Sequence, residues 1–191
     1  SSREPEPRLR PAGPPVRPAM SPSWLAAQGR LSLAFMGLGL AWFVVATAWL
    51  VFEPGLLVLP HLHPHVVALT HAWVLGFFVS VACGAVYQLA PVALGTTLAN
   101  ERHGWWHFGL HAAGVPGMVY ALRVWDLTLL GHMGFAVGLG VLLFSVNTWA
   151  TVRRSGRGGT VAWSLALATS WLLLTVLLGL VLAANRFWVL L

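Results

Sequence analysis

The sequence predicts an all-α protein: a polytopic membrane bundle of five transmembrane helices with its N-terminus in the cytoplasm. Three observations carry that expectation. Of 191 residues, 58% are hydrophobic and only 8% charged, where a soluble domain carries about 25% charged residues. The apolar residues fall into five long runs, and the basic residues, all of them arginine, crowd into alternate gaps between the runs. A net charge of +6 arranged in that way speaks to membrane topology, not to nucleic-acid binding. The single cysteine, Cys83, rules out an intrachain disulfide or a thiolate cluster and is expected to pack as a small apolar residue.

Residues 1–28 hold seven prolines and four arginines but few large apolar side chains. Such a segment buries too little surface to offset its ordering entropy, so it is expected to form a disordered cytoplasmic tail. It also lacks the basic, apolar, small-residue order of a cleavable signal peptide. Residues 29–191 form the membrane domain, with spans expected at about Leu31–Phe52, Val66–Leu94, Trp105–Leu122, Leu127–Ala150 and Val161–Ala184. Each can cross roughly 30 Å of hydrocarbon at about 1.5 Å per residue. The third is the shortest, and Pro116 should kink it. With the N-terminus inside, the inner side receives nine arginines (3, 8, 10, 17, 30, 102, 153, 154 and 157), against Arg123 and Arg186 outside. That is the positive-inside pattern of a multi-pass protein of the bacterial inner membrane. Trp105, Trp106, Trp125 and Trp188 fall near span ends, where interfacial aromatics belong.

Ionisable residues inside a span are rare and by default functional, which singles out the histidines. His71 lies about five residues into the second span and His132 about five into the fourth; both spans run from outside to inside. Each ring should sit ~7–8 Å below the outer boundary. Two co-directional helices would then offer imidazoles at matching height, as bis-histidine ligation of a haem iron requires. Gly131, Gly134, Gly138, Ala82 and Gly84 would leave room for a flat macrocycle. The alternative is that each histidine bonds a neighbouring carbonyl and the glycines serve helix packing.

His107 and His111, four apart on the third span, can grip one metal ion from one helix face. His103 continues their stripe. His103 and His107 start the span, so an interfacial position with the ring in headgroup water is the stronger expectation for them. His111 is deeper, yet about 13 Å from His71 along the bundle, too far to share an iron. His61, His63 and His65 alternate between Pro60 and Pro64, which favour extended backbone and would put the three rings on one side, a possible copper or zinc site. They serve equally well as a partly solvated loop. Tyr87 and Gln88 interrupt the second span before Pro91 and, if buried, need partners on a neighbouring helix.

The stretch Thr70-His71-Ala72-Trp73-Val74-Leu75-Gly76-Phe77-Phe78, continued by Gly84-Ala85-Val86-Tyr87-Gln88-Leu89-Ala90-Pro91, resembles the second helix of subunit I of haem-copper oxidases and nitric oxide reductases. In that family a histidine near the outer end of this helix ligates the low-spin haem, and His71 falls on that position. The run Leu143-Phe144-Ser145-Val146-Asn147-Thr148-Trp149-Ala150-Thr151 is similar to the family's asparagine-bearing helix before a basic loop. The resemblance covers roughly residues 31–185. Family members have many more helices, and the later ones supply the second haem ligand, the catalytic haem and the copper ligands; those motifs are missing here. The resemblance therefore implies a haem-binding electron-transfer protein or subunit built on the front half of the oxidase fold. His71 and His132 would hold one b-type haem near the outer face. The implied partners are the bilayer, an electron donor or acceptor protein or quinol, and further copies or a larger membrane complex. The alternatives are a copper- or zinc-handling membrane protein and a structural accessory subunit of a respiratory or photosynthetic assembly.

Overall fold

A computed structural model describes residues 22–156 and 158–188, and among them every regular element is helical. Helix α1 is Pro22–Phe52, α2 is Pro64–Leu94, α3 is Glu101–Val124, α4 is Leu127–Ser155 and α5 is Thr160–Trp188. A 3₁₀ turn, Pro54–Val58, joins α1 to α2. Four segments are long and apolar enough to cross a membrane: Gly29–Phe52, Pro64–Leu94, Leu127–Ser155 and Thr160–Asn185. The chain is thus built as a multi-pass membrane protein. Among the described residues α1 runs from Pro22. Of the expected tail, residues 1–21 lie outside the described residues.

The expected third span lies within α3, which is long enough but less apolar than the other four. The reason is its place in the bundle. It packs most extensively on α4 and also touches α1 and α2, whereas α5 packs mainly on α4. Its buried stripe runs Gly104, His107, His111, Gly114, Val115, Val119 and Leu122, the three-and-four spacing of one helix face. A helix covered by its neighbours along that face can carry histidines there instead of leucines.

Glycines set the approach distances. A Cβ at Gly76 would lie 2.5 Å from the Trp42 indole, and one at Gly39 would lie 2.7 Å from Val81, so α1 and α2 meet backbone to side chain. Gly95 ends α2 in the left-handed region (φ 59°), and the amides of Gly95 and Thr96 turn back to the carbonyls of Val92 and Pro91. That reversal needs a residue without a Cβ penalty. Trp125 takes the same conformation (φ 60°) between α3 and α4, and Asp126 then caps α4 by accepting from Leu129 N at 3.0 Å. The result is a two-residue hairpin between the two most closely packed helices.

Candidate functional site

At the α1–α2 rim, Glu53 accepts from Arg123 Nη2 at 2.9 Å and stands 3.9 Å from His65 Nδ1. The Arg123 guanidinium lies 4.9 Å over the Trp49 ring. These contacts tie the ends of α1, α2 and α3 together. The histidine run does not form the extended strand its alternation suggested. His63 N donates to Pro60 O at 2.8 Å, closing a turn, and Pro64 then starts α2 because proline suits a first turn. His63 becomes the helix cap, its Nδ1 accepting from His65 N at 3.3 Å. His63 and His65 do meet, with ring centroids 5.3 Å apart, while His61 is exposed. Among the described residues no three His, Cys, Asp or Glu side chains gather as a metal-binding set.

His71 and His132 adopt one posture. His71 Nδ1 donates to Val67 O at 2.8 Å, and His132 Nδ1 donates to Thr128 O at 2.7 Å, each one turn back along its own helix. That hydrogen bond fixes the tautomer and leaves Nε2 with its lone pair, the arrangement found in most metal-bound histidines. The Pro64–His71 part of α2 packs on α3, and α2 reaches α4 chiefly through Ser80–Leu94, farther along. His71 is half-buried and His132 exposed. The glycines expected to admit a macrocycle are already in contact: Leu180 lies over Gly134 and Gly138, and Met36, Phe35 and Ser32 lie over Gly84. Gly131 alone of that group faces open space.

The polar groups the bundle does bring together lie deeper. His107 and His111 are both fully buried at 0% exposure. For His107 this overturns the expected headgroup position: Phe35, Tyr87 and Phe144, from other helices, pack around the ring in the core. Tyr87 OH lies 3.0 Å from His107 Nδ1. His111 Nε2 lies 3.1 Å from Leu75 O and 3.0 Å from Ser80 Oγ. Phe35 packs against both imidazoles, at 4.7 and 5.9 Å between centroids, and Phe144 lies 5.3 Å from His107. The Leu75 carbonyl is available because Ala72–Val79 is wound as π-helix. The wider turn shifts the hydrogen-bond ladder, a feature that recurs at functional sites.

The remaining candidates find partners nearby. Gln88 is exposed, and its Oε1 accepts from Ser32 Oγ at 3.0 Å, so of the Tyr87–Gln88 pair only the tyrosine is buried. His103 is half-buried, and its backbone amide donates to Asn100 Oδ1 at 3.2 Å. His111 meets α2 four to nine residues beyond His71, roughly 6–13 Å lower at 1.5 Å per residue. Cys83 is buried among Leu31, Phe35, Tyr87 and Phe144. Comparisons of the chain with protein-family models, with curated proteins and with solved structures return no match.

Proposed function

We propose that this chain is a multi-pass membrane haem-binding protein that passes electrons, with His71 as an axial ligand. It would form one subunit of a larger assembly in the bacterial inner membrane. The observation that carries this reading is His71 itself. It is a half-buried imidazole near one end of an apolar helix, its Nδ1 proton committed to Val67 O and its Nε2 lone pair unused. The surrounding sequence resembles the haem-bearing second helix of oxidase subunit I, which supports the same role. A bound b-type haem would supply reversible one-electron chemistry.

His71 lies on the part of α2 that packs on α3, and α2 reaches α4 chiefly farther along, which favours ligands from different polypeptides over a sandwich inside one chain. Each fits as a single ligand. The second axial nitrogen then comes from another polypeptide, either His132 of a second copy or a residue of a partner subunit. An exposed His132 with a fixed tautomer suits an interface of that kind. Helix α3 acts as a fifth span in this reading. It lies alongside α1 from the Gly104–Leu31 contact to the Arg123–Glu53 pair. The N-terminus is then cytoplasmic, and Arg123, His61, His63 and His65 face outward.

A second reading, copper or zinc handling at the outer rim, is favoured by the close His63–His65 rings beside Glu53. One experiment separates the two. The full chain purified from a haem-replete bacterial membrane should show a low-spin b-type optical spectrum that His71→Ala abolishes. A spectrum unchanged in His71→Ala, or stoichiometric copper or zinc without iron, defeats the haem reading.

A further inference from the structure

His107 and His111 each leave one buried ring nitrogen, Nε2 and Nδ1 respectively, without a hydrogen-bond partner among the described residues. An orphaned buried nitrogen carries an uncompensated desolvation cost, and leucine would fill either position without that cost. Something that the two nitrogens bind removes it. The tautomers decide what. A carbonyl oxygen only accepts, so His111 Nε2 carries the proton that reaches Leu75 O, and Nδ1 is a bare lone pair. Imidazole is a stronger base than phenol, so Tyr87 OH donates to His107 Nδ1, and His107 Nε2 carries a proton. The orphans are therefore one donor and one acceptor. A metal ion requires two lone pairs and finds only one. A water molecule requires one of each, because it accepts from His107 and donates to His111.

We propose that His107 Nε2 and His111 Nδ1 bind one internal water, which joins Tyr87, His107, His111 and the Leu75 carbonyl into one hydrogen-bonded chain at the centre of the bundle. The two rings sit one helical turn apart, nearly perpendicular and with centroids 5.7 Å apart, so one water can bond to both. In the completed chain every donor points the same way: Tyr87 O–H to His107, His107 N–H to water, water to His111, His111 N–H to the Leu75 carbonyl in the π-helical segment. Phe35 and Phe144 form apolar walls that keep the water from being one of many.

The test is solid-state NMR on the full-length chain, ¹⁵N-labelled at histidine, in lipid bilayers. His111 should be the Nε2–H tautomer and His107 should carry Nε2–H. Magnetisation from water should reach both nitrogens, and transfer deuterium from D₂O to both rings. Tyr87→Phe removes the donor to His107 Nδ1 while keeping the ring, and should shift the His107 Nδ1 resonance to that of an unbonded lone pair. His111→Gln serves as a second variant and should break the water contact at His107. Dry rings in the wild type, unprotonated nitrogens at both orphans with stoichiometric metal, or a His107 Nδ1 resonance unmoved by Tyr87→Phe would each overturn the proposal.

Discussion

Asn147 shows how one buried side chain organises the arginine-rich end of the bundle. Its Oδ1 accepts from Asn100 N at 2.9 Å and its Nδ2 donates to Asn100 O at 2.8 Å, while Thr151 Oγ1 accepts from Ala99 N at 3.0 Å. A loop that must dip against a helix leaves its peptide groups without water, and these side chains replace the lost partners. Asn147→Ala leaves two of those groups unpaired and should lower stability by about 1–3 kcal/mol. Glu53→Gln breaks an ion pair whose partners are both more than a third exposed, so it should cost about 1 kcal/mol or less. Thermal unfolding of both variants in one detergent checks the ranking, and equal losses would contradict it. Asn147 was visible in the sequence only through the resemblance of its helix. Its role depends on the loop it meets forty-seven residues earlier, which local pattern cannot reveal.

Helix α2 carries most of the interest among the elements. Its apolar length was plain from the sequence, but the π-helical turn at Ala72–Val79 was not, because a one-residue shift in the hydrogen-bond ladder leaves the hydrophobic pattern nearly unchanged. Hence Leu75 O could not be anticipated as the partner of His111. The burial of His107 was legible in principle, since it lies three residues from Gly104 and four from His111 on the covered stripe of α3. Proximity to the span's start suggested water instead, and the Phe35, Tyr87 and Phe144 rings that exclude it come from other helices, which local pattern does not show. Gly76 lies within the π-helical stretch, with the rigid Trp42 indole where a Cβ would go. Gly76→Ala should push α1 from α2 and destabilise the protein by about 1–3 kcal/mol. Unaltered thermal stability in that variant would show that the two helices are not in close contact there.

At the scale of the whole molecule, the apolar runs and the arginine asymmetry were enough to expect a helical multi-pass chain, and four spans follow from length and composition. Helix α3 is harder to read because His103, His107, His111 and its glycines lower its hydropathy, and what those residues pack against is set by other helices. The sidedness is testable in a Cys83→Ala background with a membrane-impermeant thiol label. Cysteine at Arg102 or Arg153 should react only from the cytoplasmic side, and cysteine at His61 only from the outside. Labelling of Arg102→Cys and His61→Cys from the same side would remove α2 as a span, and labelling of Arg102→Cys and Arg153→Cys from opposite sides would remove α3.

The most direct test of the central claim is a pyridine-haemochrome assay with metal analysis on the purified full-length chain, wild type beside His71→Ala. The expected result is b-type haem in the wild type, at no more than one per chain, lost when His71 is replaced. Iron-free wild-type protein, or equal haem in both preparations, would contradict it.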